Sequence, residues 1–175
     1  MNAFFSADTH FGSERTLTLS RRPFATVFEM NEALIKLWND VVCPEDKVYH
    51  LGDFGDYNIL KRLNGKVILI LGNYELKDIE EGKITREELV EKYGFEAVYD
   101  NLNIPELDGI FATHCPNDCK KDEFNLFAHI HGRQLCKRYG LDVGTDGHHF
   151  RPISTKDVLF YKEAIEKYYD ENVFE

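Results

Sequence analysis

Seven residues of the right types to hold metal ions fall in five short stretches. Asp8 and His10 stand two apart in Asp8-Thr9-His10, and His129 and His131 do the same in His129-Ile130-His131. Asp53 and Asn73 each follow a glycine, and His114 follows Thr113. Every stretch lies just past an apolar run, and in layered sheet proteins ligands collect beyond the carboxyl ends of strands. Carboxylate, amide and imidazole together suit manganese, iron or zinc better than calcium, and the lack of thiolates among them argues against structural zinc. A carboxylate placed centrally can bridge two cations roughly 3.5–4 Å apart, which then activate a water and clamp both oxygens of an in-line displacement. Singly, each stretch reads as a turn or a packed histidine; the joint order is far harder to reach by chance.

The elements that must position these residues can be read from hydrophobic pattern. Apolar runs over residues 3–7, 47–51, 67–71, 95–99, 110–113 and 141–144 predict strands. Residues 125–131 alternate weakly, and on a strand a His-x-His spacing puts both rings on one face. Val27, Met30, Leu34, Leu37, Trp38 and Val41 recur at helical spacing, predicting a helix over 27–41 capped by Thr26. A short helix is expected over 59–63. Capping boxes at Thr85/Glu88 and Ser154/Asp157 open two more, over 85–93 and from 154 to about 169, with the tail 170–175 expected to fray. The basic stretch 13–23, with Arg15, Arg21 and Arg22, reads as a loop. His50 is expected to pack within its strand. His148 and His149 are expected in a solvated loop, with one a candidate to reach a substrate. Strands alternating with helices, then a strand-rich second half, predict a layered α/β (α+β) fold in one domain, residues 1–175.

Composition narrows the partners. Against 21 Lys and Arg stand 31 Asp and Glu, a formal charge of −10. That disfavours extended duplex nucleic acid, but not a small anionic substrate, because bound cations reverse the local sign. No apolar run nears the roughly 20 residues that span a bilayer. Asp8 and His10 arrive before any signal-length run, so no signal peptide is expected. The four cysteines form no C-x-x-C pair and read as reduced thiols. The expectation is a cytoplasmic protein with no membrane partner. Oligomeric state is not encoded legibly.

Asp8-Thr9-His10, Gly52-Asp53, Gly72-Asn73, Thr113-His114 and His129-Ile130-His131 together resemble the five ordered motifs of the calcineurin-like metallophosphoesterase family. The resemblance spans residues 3–132 and is nearest to the compact single-domain members of bacteria and phages. It implies a four-layer fold, a two-sheet β-sandwich flanked by helices, with metals at the sheet edge. It implies one divalent ion on Asp8, His10, Asp53 and His131 and a second on Asp53, Asn73, His114 and His129, with Asp53 as the bridge. Manganese is the first expectation, with iron, zinc or nickel as alternatives. The activity implied is hydrolysis of a small phosphate ester by direct attack of a metal-bridging hydroxide. Catalytic contributions would come from Asp53, Asn73, His114, Tyr74, Glu75 and Arg133. Of these, Glu75 would orient a neighbour by hydrogen bonding and Arg133 would clamp a phosphate oxygen.

The chain departs from the family pattern at two places. Family members carry Gly-Asn-His-Asp or Gly-Asn-His-Glu in the third motif, and here Tyr74 takes the histidine position. A phenol with a pKa of about 10 is a poor proton donor near neutrality, so activated phosphodiesters, aryl or cyclic nucleotide, are expected to be favoured over alkyl monoesters. Ala128 in place of the usual glycine is sterically mild. Two alternatives stay open: a catalytically silent metal-binding member acting through a partner, and a nuclease for short single strands.

Overall fold

The computed structural model describes residues 2–170. β1 (Ala3–Ser6), β2 (Lys47–His50), β3 (Lys66–Ile70) and β4 (Ala97–Tyr99) pair in parallel, and β10 (Ile153–Ser154) joins the free edge of β1 antiparallel. A second five-stranded sheet runs β5-β6-β7-β9-β8. Its central β6 (Ile110–Thr113), β7 (Phe124–Phe127) and β9 (Gly140–Asp142) are parallel, and β5 (Asn101–Asn103) and β8 (Cys136–Lys137) flank them antiparallel.

Side-chain alternation explains the stacking. Phe5, Tyr49, Leu51 and Ile70 of the first sheet share one apolar core with Ile110, Ala112, Leu126 and Leu141 of the second. The intervening Phe4, Val48, Val67 and Leu69 face the opposite way, onto Met30, Leu34, Ile35 and Trp38 of α2 (Val27–Asn39). Strands buried on both faces read as unbroken apolar runs, which is why these were legible. Thr26 caps α2 by accepting from the Glu29 amide at 3.1 Å. The chain is thus a mixed α/β protein with two five-stranded sheets and helices.

The four-layer expectation is met on one side. Helices cover the outer face of the first sheet. On the outer face of the second, Phe111 and Phe127 lie under the ammonium groups of Lys120 and Lys137, 4.0 and 5.6 Å from the ring centroids. The cause is the connection from β6 to β7, which carries one 3-10 turn (Pro116–Asp118) and no longer helix. The last helix, α5 (Thr155–Tyr168), opens with the Ser154/Asp157 box and touches β1, β10 and β9. Its Val158 and Ile165 enter the inter-sheet core, so it closes a side of the sandwich.

Local assignments differ where apolar pattern is thin. Residues 14–19 form α1 (Glu14–Leu19), capped by Ser13, which accepts from the Thr16 amide at 3.1 Å. α3 (Asn73–Glu80) starts within the third motif. The Thr85/Glu88 box opens α4 (Arg86–Glu88), which continues as a π-helical turn (Leu89–Tyr93). Residues 57–62 form a 3-10 turn capped by Asp56. Residues 171–175, most of the expected fraying tail, lie outside the described residues. Among the described residues no helix is long and apolar enough to cross a membrane.

Candidate metal centre

All seven expected ligands meet at one edge, because five parallel strands end there. Asp8 and His10 follow β1, Asp53 follows β2 and Asn73 follows β3; His114 follows β6 and His129 and His131 follow β7. Loop-to-loop hydrogen bonds lock the edge: the Asp8 amide donates to the Gly52 carbonyl at 3.0 Å, and the His10 amide to the Asp53 carbonyl at 3.0 Å. The two sheets are tied by the His129 amide, which donates to Asp8 Oδ2 at 2.8 Å.

His129 and His131 do not lie on a strand. β7 stops at Phe127, and both histidines have left-handed backbone (φ 74° and 52°). Asp8, His10 and Asp53 share that conformation, so five of the eight such non-glycine residues among those described are expected ligands. Residues held in sparsely populated backbone regions cost of order 1–3 kcal/mol each and cluster at sites where the surroundings fix them. Two glycines make the crowding possible. A Cβ on Gly52 would fall 2.4 Å from the Gly72 amide nitrogen, and one on Gly72 would fall 2.4 Å from Asp53 Oδ1.

The ligand atoms form two groups. Asp8, His10 and His131 bring one donor atom each to within 4.8 Å of one another, and so do Asp53, His114 and His129. Asp53 Oδ2 lies between them, 3.5 Å from His10 Nε2 and 3.6 Å from His114 Nε2. Asn73 Oδ1 completes the second group, 3.0 Å from both His114 Nε2 and His129 Nδ1.

The polar bookkeeping of the pocket fits cations. Asp8 Oδ1 and His10 Nε2 are buried without a hydrogen-bond partner among the described residues, a costly arrangement unless something ligates them. His114 Nδ1 donates to the Leu51 carbonyl at 2.6 Å. Burial, first, holds the ring's pKa down to about 4, so it is neutral at pH 7 and its Nε2 is a bare lone pair facing the Asn73 oxygen. Two acceptors 3.0 Å apart are repulsive alone; as two corners of a coordination shell they are ordinary. Burial and the neighbouring His131 and Arg22 likewise push His10 down to about 3. Burial raises Asp8 and Asp53, and Asp53 adds to the effect on Asp8.

A further ring of residues fixes the ligands. Glu75 is fully buried, and its carboxylate accepts from the amides of Asp53 at 2.8 Å, Phe54 at 2.8 Å and Gly72 at 2.9 Å. It therefore sets the turn that aims Asp53 and, through Gly72, the start of α3. Asp146 was not singled out in the sequence. Its Oδ2 accepts from His131 Nδ1 at 2.8 Å, which leaves Nε2 of that ring for a metal. Arg22, expected in a solvated loop, is instead buried. It donates to both Asp146 oxygens at 2.9 Å and to the carbonyls of Thr9 at 2.8 Å and Asp8 at 2.5 Å. Burial alone would raise Asp146, but His131 and Arg22 outweigh it and hold its pKa to about 2.

The group opens into a cleft of about 760 Å³. Tyr74 lines it edge-on to His10, ring centroids 5.1 Å apart, and its hydroxyl accepts from Arg15 Nη1 at 2.9 Å. Arg133 also lines the cleft, as do Arg15 and Lys77. His148 does not reach it; buried, its Nε2 meets the Asp142 carbonyl at 2.6 Å. His149 is exposed and also outside the cleft lining.

No family model matches the chain. An uncharacterized protein of Methanocaldococcus jannaschii is 39% identical over 80 residues, 41% of this chain and 46% of that one. The match thus spans about half the length of the curated relative. Among solved structures, a protein of unknown function from Aquifex aeolicus superposes with a TM-score of 0.65 at 22% identity, over 91% of this chain and 98% of that one. That likeness extends to the fold.

Proposed function

We propose that the chain is a dinuclear metal-dependent phosphoesterase with the calcineurin-like fold, working in the cytoplasm, where its four free cysteines stay reduced. The observation that carries the reading is that Asp53, a member of the second three-residue group, also brings its Oδ2 to 3.5 Å from His10 Nε2 of the first. Asp8, His10, His131 and Asp53 would hold one divalent ion, and Asp53, Asn73, His114 and His129 the other. Manganese is the first choice and iron, zinc or nickel are compatible, since the donors are nitrogen and oxygen only. Such a pair supplies a water of lowered pKa and positive charge for the phosphoryl oxygens.

The protein's own groups do the rest. Arg15, Lys77 and Arg133 at the cleft mouth draw in an anionic ester and orient its oxygens. Glu75 and the Arg22–Asp146 pair hold Asp53 and His131 in place. Arg15 occupies a lone pair of the Tyr74 oxygen and leaves the phenolic proton for a substrate oxygen. A phenol gives up that proton reluctantly, so the leaving group must depart largely unaided. Activated phosphodiesters are the favoured substrates.

With manganese present, steady-state rates on bis(4-nitrophenyl) phosphate and 4-nitrophenyl phosphate test this. The diester should lead in kcat/KM by roughly ten-fold or more, and Tyr74→His should raise rates for poorer leaving groups by a similar factor. A monoester preference would refute the role given to Tyr74. Absence of metal-dependent hydrolysis of either ester would refute the phosphoesterase reading.

A further inference from the structure

The metal cleft continues past its ligands. Gln134 lines both the cleft and a second groove of about 390 Å³ on the outer face of the second sheet. The chain leaving the His129–His131 loop builds that groove directly: β8 and the turn after it supply Lys137, Arg138 and Tyr139. Lys120 and Lys121 supply the opposite wall. Asn125, Phe127 and Gly140 of β7 and β9 form the floor, and Tyr169, which ends α5, also lines it.

Charge along this path runs against that of the whole molecule. Carboxylates outnumber cations 31 to 21 in the chain, yet the two neighbouring hollows are lined by seven Lys and Arg and one carboxylate, Asp53. Lys120 is shared with Glu123 and Asn103, each at 2.9 Å. Tyr139, in the turn after β8, is 53% exposed with Arg138 over its ring, 5.6 Å from the centroid, and an exposed aromatic beside a guanidinium is a platform for an unstacked base.

We propose that this groove seats the flanking nucleotides of a single-stranded oligonucleotide whose scissile phosphodiester lies at the metal centre, their binding energy offsetting a nucleoside leaving group that Tyr74 protonates poorly. The inference rests on the phosphoesterase reading and names its substrate class. Two neighbouring hollows that share Gln134 suit a thin, flexible polyanion, with Lys and Arg tracking successive phosphates and Tyr139 taking a base. An extended duplex is disfavoured by the chain's formal charge of −10.

Fluorescence anisotropy with thymidine oligonucleotides of rising length, made uncleavable by phosphorothioate linkages and added to the manganese-loaded protein, tests the proposal. Affinity should rise about ten-fold or more from the dimer to the octamer, with log K falling by about 0.7 per contacted phosphate against log salt. Lys121→Glu with Lys137→Glu should abolish the length gain and cut the salt slope by about 1.4. Should charge reversal disturb folding, the milder Lys121→Gln/Lys137→Gln pair removes the same two contacts and should also cut the slope by about 1.4. Length-independent affinity, wild-type binding by both variant pairs, or equal affinity for polyglutamate of matched length would each overturn the assignment. Hydrolysis of bis(4-nitrophenyl) phosphate without oligonucleotide binding would sink this inference alone. Binding with no ester cleaved would overturn the phosphoesterase reading and this one with it.

Discussion

Asp146 is the residue on which the two halves of the centre can be told apart. It touches His131 and Arg22 but has no contact with the Asp53–His114–His129 group. Asp146→Asn should therefore weaken metal binding at the Asp8–His10–His131 group by about 10–100-fold, the usual effect of losing such an outer partner, and spare the other. A chelator-competition titration reads this as one of two binding phases shifting. Equal weakening of both phases, or of neither, would contradict the assignment of separate sites. Arg22 and Asp146 were the part of the site least legible in the sequence. Arg22 looked like one of three loop cations, and its burial depends on carbonyls of residues 8 and 9 that point inward only because Asp8 takes a left-handed turn. Its carboxylate partner comes 124 residues later. The ligands themselves were legible because each stretch that carries them lies just past an apolar run.

Among the elements, β2 couples the sheet to the centre through its last residue, His50. The Thr9 hydroxyl donates to the Phe54 carbonyl at 2.9 Å, so His50 Nε2–H donates to the Thr9 oxygen at 3.0 Å and Nδ1 is left bare. That Nδ1 is buried with no hydrogen-bond partner among the described residues, and the ring packs 5.0 Å from Phe54 and 6.3 Å from Trp38 by centroids. Protonation would bury an unpaired N–H. Burial, then the charges of His114 and His10, lower its pKa to about 3. The unfolded chain takes up that proton near the ordinary histidine pKa of about 6.5, so this residue's stability contribution is full above about 6.5 and is lost as pH falls toward 3. Its loss should run at about 1.4 kcal/mol per pH unit for one proton. Urea unfolding of wild type and His50→Gln between pH 6 and 4 checks it: the wild type should lose stability faster by about that slope. Parallel curves would show that the folded ring is already protonated.

Element legibility followed length and burial. The strands at 67–71 and 110–113 were read to within a residue, since apolar side chains on both faces leave a continuous run. β5, β8 and β10 were missed, having two or three residues each; pairing with a neighbour creates them, not their own composition. α1 was missed because its start signal is one serine with little apolar pattern behind it. The His-x-His geometry failed for a different reason: spacing alone cannot say that a strand has already ended.

For the molecule as a whole, a layered α/β fold was legible from strands alternating with helices, while the division into two sheets came with the family resemblance. That the β6–β7 connection carries only a 3-10 turn was not legible, because a missing helix leaves no mark in local pattern. The centre joins both sheets, so its ions should bind at one place. Anomalous diffraction from manganese-soaked crystals tests that most directly. Two peaks per chain are expected, within about 4 Å of each other, flanking the Asp53 carboxylate, and both should vanish or weaken in Asp53→Asn. A single peak, peaks away from Asp8, His10, Asp53, Asn73, His114, His129 and His131, or an unchanged pair in the variant would contradict the account.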